Sequence, residues 1–275
     1  MSLILGISNS HNGSVAIIKD GEVKSAVQAE RISRKKRQWL SIDGDTKLIK
    51  DCVSYCLDAV GFGCQDIEAI ALSTPWEVKK ISNLDLFHLI GGTPKNYIET
   101  FYVPHHFSHM EYIVHYGNSK PGIILVIDGS GSLEEDRLLF NIREEHHPQI
   151  LNHTHFSGKE VISAYWFNGF KSVLIYRFSP NTNSYDEINL DSDSLLQSIG
   201  HYWEWASQYC CGTRTDAGKV MGLAAFGEVK NIIEKEILSI SENGKLNLNF
   251  NHLKKTYKNP NLFNLDLSSS KHHQN

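Results

Sequence analysis

The chain contains no apolar run approaching the roughly 20 residues needed to span a bilayer. Its opening, MSLILGIS, is too short for a secretory signal and has no basic n-region, so a cytoplasmic protein without a membrane partner is expected. Cysteines are few, odd in number and without a C-x-x-C pair: Cys52, Cys56, Cys64, Cys210 and Cys211. This excludes a disulfide framework and a zinc knuckle, leaving reduced packing residues. Positive charge is not in excess either. A formal net charge of -4 provides no field for displacing counterions from phosphates, so nucleic acid is not an expected partner. The single basic run, RISRKKR at 31–37, reads as a solvated turn or an anion-contacting segment. Neither G-x-G-x-x-G nor G-x-x-x-x-G-K-[ST] occurs, which removes the Rossmann fingerprint and the P-loop.

What is present, in 275 residues, is enough chain for one large domain or two ordinary ones. LILGIS (3–8) and SVAIIKD (14–20) read as strands joined by a polar turn. Asp20-Gly21 is a hairpin turn leading into the alternating run EVKSAVQAE, so the chain opens with three antiparallel strands. Leu48, Ile49, Cys52, Val53, Cys56, Leu57 and Val60 recur at helical spacing, with Gly61 at the stop. IEAIALST is a strand, a helix surrounds NLDLFHLI, IETFYV is a strand, and Pro104 sits where proline opens a helix. At GIILVIDGSGS the pattern restarts, with further strands at RLLFNIREE and SVLIYRFS and a helix over about 195–209. Two related units follow, 1–120 and 121–267, with a mobile polar tail at 268–275.

Four segments can carry chemistry. In VPHHFSHMEY, His105 and His109 stand four apart and share a helix face, so they can grip one cation, while His106 points elsewhere. A metalloprotease would need glutamate directly after the first histidine; His106 occupies that place. The competing reading is a helix start with exposed polar residues. In VIDGSG, Asp128 ends a strand, and Gly129 and Gly131 allow close backbone approach to an anion, or simply form a tight turn. SNSHNGS places His11 beside Asn12, Gly13 and Ser14; its amides can meet a phosphate and His11 can exchange protons, or the histidine is merely exposed. DAGKVMGLAAFGE reads, by itself, as a glycine-interrupted bend packed in a core.

In order and register these segments resemble the carbamoyltransferase family of antibiotic and nodulation-factor biosynthesis. ILGISNSHNGSVAIIKDGEV resembles its opening strands, and AERISRKK its E-E-R-x-S-R-x-K segment. HHFSH is similar to its H-H-x-x-H motif, VIDGSG to its V-D-G-x-G turn, and SIGHYWEWASQYC with AGKVMGLA to its S-L-G-x-x-Y and G-K-V-M-G-L-A segments. The resemblance implies an α/β fold of the actin-like ATPase (ASKHA, RNase H-like) kind, with one complete lobe and an incomplete second. It implies that His105, His109 and Asp128 hold a divalent metal: iron foremost, zinc or manganese otherwise. It implies that His11 is the catalytic histidine, and that Asn12, Gly13, Ser14, Arg31, Lys36, Gly129, Gly131 and Lys219 contact substrate or nucleotide.

In such enzymes a YrdC-like domain makes carbamoyl-adenylate from carbamoyl phosphate and ATP, and the actin-like part passes the carbamoyl group to a hydroxyl. This chain covers only the first half of that pattern. It lacks the later metal-ligating aspartate, the G-G-V-x-x-N-type segment and the YrdC-like domain. Residues 137–193 fit poorly, including His146, His147, His153 and His155, which read as exposed polar positions. The leading expectation is one polypeptide of a split O-carbamoyltransferase, with a second chain supplying the rest and a hydroxylated small molecule as acceptor. The alternatives are a non-catalytic metal- or nucleotide-binding regulatory protein and a stand-alone metal-dependent hydrolase, the latter drawing on Glu134 or Asp136.

Overall fold

The computed structural model describes residues 2–41, 46–74, 90–91, 98–117, 120–129, 131–133, 145, 159–179, 199–213, 216–227, 238–240 and 246–248. Apart from Ile90 and Glu145, the expected helix around NLDLFHLI and the strand RLLFNIREE lie outside these residues, as do Glu134, Asp136, the histidines at 146–155 and the polar tail.

Three strands open the chain: β1 (Leu3–Ser8), β2 (Ser14–Lys19) and β3 (Glu22–Gln28). They form the expected antiparallel meander. The turn between β2 and β3 is the two-residue kind, because Asp20 (φ 51°) and Gly21 (φ 81°) both adopt the left-handed conformation that matches strand twist. Leu3, Leu5, Ile7, Val15 and Ile17 alternate inward and are buried.

A five-residue helix, α1 (Ala29–Ser33), follows β3 and stops at Arg34, whose φ of 62° turns the chain back. Helix α2 (Thr46–Val60) then lays Leu48, Ile49, Cys52, Val53, Cys56 and Leu57 against the sheet, as the spacing predicts. Gly61 ends it at φ 72°. Strands β4 (Ala69–Ser73) and β5 (Glu99–Val103) extend the sheet beside β1 in parallel. The order is β3-β2-β1-β4-β5.

Helix α3 (His105–Tyr116) begins directly after β5. Pro104 is its N-cap, one position earlier than the first-turn site the sequence suggests. Proline serves there because an N-cap contributes its carbonyl rather than its amide, and Pro104 O accepts from Ser108 N–H at 3.0 Å. A second sheet, ordered β6-β7-β8, contains β6 (Gly122–Ile127), β7 (Ile162–Phe167) and β8 (Ser172–Phe178). Met110 of α3 joins Val126, Tyr165 and Leu174 in a smaller core.

The chain divides into two compact units. The first comprises Met1–Val126, Gly131–His155 and Ser163–Arg177; the second comprises Ile127–Ser130, Phe156–Ile162 and Phe178–Asn275. In the second lie helices α4 (Ile199–Cys211) and α5 (Ala217–Ala224) and the short antiparallel pair β9 (Leu238–Ile240) and β10 (Leu246–Leu248). The segment read as a packed bend is thus helical. A side chain at Gly218 or Gly222 would meet nothing within 4 Å, so these glycines sit in open space and serve no close packing. Among the described residues, no helix is long and apolar enough to cross a membrane.

Candidate metal centre and catalytic turn

Because β1, β4 and β5 run parallel, Ser8, Ser73 and Val103 stand in register at one end of the sheet. The loop bearing His11 leaves β1 at that end, and α3 leaves β5 there too. The carboxyl ends of parallel strands are where α/β sheets place their ligands. A row of small polar groups ties the two exits together. Asn9 N–H donates to Ser73 O (2.8 Å), Ser73 Oγ donates to Ser108 Oγ (3.2 Å), and Ser108 Oγ donates to His105 O (2.7 Å). His105 N–H donates to Ser132 Oγ at 2.8 Å.

On α3 the four-residue spacing has the expected result. The His105 and His109 rings are 4.8 Å apart edge to face, with their Nε2 atoms at 3.3 Å. Two nitrogens each about 2.1 Å from one ion and roughly 90–110° apart would be separated by ~3.0–3.4 Å. The pair therefore has the spacing of one ion's ligands, which also suits a single N–H···N hydrogen bond. His106 is fully buried, with Nδ1 2.8 Å from Ser163 Oγ.

The His11 turn is held by the chain that follows the basic run. Gly13 N–H donates to Gln38 O (3.1 Å), Leu40 N–H to Ser10 O (3.2 Å), and Ala29 N–H to Gly13 O (2.8 Å). Gly13 is required: any Cβ would overlap Leu40 Cβ and lie 2.7 Å from Leu40 N. His11 is exposed, 6.0 Å from the Trp39 ring, and its Nδ1 is 3.1 Å from Asn12 Nδ2. Asn12, at φ 55°, takes a conformation asparagine tolerates better than most residues. Ser14 opens β2. Arg31 and Lys36 are exposed, Arg31 with a carboxylate oxygen of Glu30 at 3.7 Å.

In the second unit, Asp128 directly follows β6. Its N–H donates to Val161 O (3.0 Å), and its Oδ1 accepts from Gly129 N–H (2.7 Å). Two residues the sequence reading passed over frame this turn. A Cβ on Gly200 would collide with Asp128 O and lie 2.7 Å from Gly129 N, and one on Gly129 would collide with the Glu204 carboxylate. The signal available was Gly200 itself: a glycine in a helix costs about 1 kcal/mol and calls for a packing reason. Gly131 is buried. Lys219, on α5, pairs at 2.8 Å with the buried Asp216.

These features describe a mixed α/β protein with an imidazole pair and a histidine turn at the carboxyl end of its parallel strands. The model of the carbamoyltransferase N-terminus matches residues 3–268, and the chain belongs to that family. It is similar to the nodulation protein NolNO of Sinorhizobium fredii, at 27% identity over 151 residues, which cover 47% of this chain and 21% of that protein. The match thus spans about a fifth of the curated relative. Among solved structures, YeaZ from Pseudomonas aeruginosa aligns at 13% identity and a TM-score of 0.35, covering 66% of this chain and 68% of that one. An uncharacterized protein with similarity to peptidase YeaZ from Pseudomonas aeruginosa aligns at 11% and 0.34, covering 70% and 74%. At these scores neither bears on the fold.

Proposed function

We propose that this chain is the amino-terminal part of an O-carbamoyltransferase that works with a second polypeptide, carrying the rest of an actin-like fold and a YrdC-like domain. Carbamoyl phosphate and ATP supply carbamoyl-adenylate, and a hydroxylated small molecule is the acceptor. Family membership supports carbamoyl transfer. The antiparallel meander continued by two parallel strands supports an RNase H-like lobe. The observation that carries the site is the His105–His109 spacing of 3.3 Å.

His105, His109 and Asp128 each offer one ligand atom, two imidazole nitrogens and a carboxylate oxygen in all. The resemblance of VIDGSG to the family's V-D-G-x-G turn supports Asp128 as the third ligand. Such a donor set fits iron, zinc or manganese. When bound, the ion would supply positive charge that stabilises the negative charge developing on the reacting group.

His11 is the base. As the acceptor oxygen bonds to the carbamoyl carbon, His11 takes the hydroxyl proton, and the bond from that carbon to the phosphate oxygen breaks with its electron pair leaving on AMP. This requires the lone pair on Nε2 and the proton on Nδ1, so the Asn12 amide presents its oxygen to Nδ1–H; hydrogen-bonding context sets which way an amide is turned. Asn12, Gly13 and Ser14 shape the turn, and Arg31 and Lys36, with the Gly129 and Gly131 backbone and Lys219, contact the anionic substrate.

The test is ATP-dependent turnover of carbamoyl phosphate by the assembly purified from its native cells, with metal measured by mass spectrometry. His11→Ala should abolish transfer and keep the metal, whereas His109→Ala should lose both. Equal transfer by wild type and His11→Ala would refute the catalytic role. An assembly with no turnover would favour a non-catalytic binding protein.

A further inference from the structure

His106 is the one histidine of HHFSH that the ligand pair leaves aside, and it sits in a buried polar cluster. Its Nδ1 is 2.8 Å from Ser163 Oγ on β7. Arg177 of β8 donates from Nε to the same oxygen at 3.2 Å and from Nη2 to Tyr165 OH at 3.3 Å. Ser163 is 0% exposed, Tyr165 1% and Arg177 2%. Since an arginine can only donate, Ser163 Oγ accepts from it and has a lone pair and its proton left, one of which meets His106 Nδ1 according to the ring's tautomer.

A buried cluster of this kind is costly to form and costlier to break, because each orphaned group would lose its partner without regaining water. It is anchored where a helix is weakest. The first turn of any helix frays, and His105 and His109 meet only when that turn is closed and fixed in rotation. His105 is half-buried and His109 exposed. Phe107 and Met110 pack apolar surface against Val126, Tyr165 and Leu174, and the His106–Ser163 bond adds to that packing a directional contact that fixes the rotation of the first turn.

We propose that His106, Ser163 and Arg177 are positioning residues that lock the opening turn of α3 and so hold the His105–His109 pair at ligand spacing. The inference deepens the metal-site reading and rests on it for its purpose, but its geometric claim can be measured without metal. The probe is the full chain with ¹³C/¹⁵N-labelled histidine, followed by the nuclear Overhauser contact between the Hε1 protons of His105 and His109, and by Co²⁺ titration. Ser163→Ala should lose that contact in the metal-free protein and weaken Co²⁺ binding by roughly 10- to 100-fold, the range for losing an outer-sphere partner. Tyr165→Phe removes a hydrogen bond at the far end of the cluster and is the control. It should lower the melting temperature while leaving both the ring contact and Co²⁺ affinity within about threefold of wild type.

The proposal is overturned if Ser163→Ala keeps the ring contact and wild-type Co²⁺ affinity, or if Tyr165→Phe disturbs both as much. If the wild type binds no Co²⁺ yet Ser163→Ala alone loses the ring contact, the metal reading falls and the positioning role stands.

Discussion

Replacing Gly200 with alanine pits two large effects against each other. Gly200 is the second residue of α4, and alanine in place of a helical glycine gains up to about 1 kcal/mol. The new Cβ, however, would overlap Asp128 O and lie 2.5 Å from Asp128 C and 2.7 Å from Gly129 N. All three are main-chain atoms that cannot rotate aside, so either the helix start or the Asp128–Gly129 turn must shift. Overpacking of this kind costs about 1–3 kcal/mol, and rigid obstacles place it towards the upper end. The net expectation is a loss of about 1–2 kcal/mol. Gly222, inside α5, is the matched control: its Cβ would meet nothing within 4 Å, so Gly222→Ala should gain about 1 kcal/mol. Urea denaturation followed by circular dichroism should then separate the two variants by ~2–3 kcal/mol in opposite directions from wild type. A Gly200→Ala protein as stable as Gly222→Ala would refute the close-approach argument.

Gly13→Ala should cost about 1–3 kcal/mol for the same reason, since Leu40 N and Cα would lie 2.7 and 2.9 Å from the new methyl. It should also abolish transfer, because the His11 turn and the Gln38–Leu40 segment would have to separate; a denaturation curve and a turnover assay on one preparation check both. Burial, with Cys56 and Asp51 nearby as lesser causes, pushes the Cys52 thiol up to about 11. At pH 8 its thiolate fraction should fall from roughly a quarter in the unfolded chain to ~0.1%, and iodoacetamide followed by peptide mapping should leave Cys52 unlabelled until urea is added. Native labelling as fast as in urea would contradict this. If the proposed metal site is present, chelation should remove metal from His109→Gln more readily than from wild type, read as the chelator concentration at half-loss.

The elements that could be read from sequence are those whose signal is local. Asp20-Gly21 between alternating runs fixes the β2–β3 hairpin, and seven apolar residues at helical spacing announce α2. Helix α1 has only five residues, too few for a period, whereas β7 lies in ISAYWF and its turn signal, Asn168-Gly169, stood in the sequence unused. Helix α5 was hidden by Gly218 and Gly222, which suggest a bend until the open space around them is known. In the site, the histidine pair is legible because i,i+4 is a property of one helix. The serines that brace it, Ser73, Ser108, Ser132 and Ser163, carry no pattern. They acquire a role only when β4, α3, the 131–133 segment and β7 come together.

The strand order also sets a schedule for synthesis. β1 lies at the centre of its sheet, and its first flank is covered at once by β2, which follows five residues later. Its other flank waits for β4, since Ile4 pairs with Ala69, 65 positions downstream. At about 5–20 residues per second a ribosome needs roughly 3–13 s to deliver that partner. Throughout that interval the nascent chain exposes an unpaired, largely apolar edge of the type that recruits other strands. Slow codons between β3 and β4 would lengthen the exposure and fast ones shorten it, so the soluble yield of this protein should respond to translation speed over 29–68 more than over any equal stretch after β5.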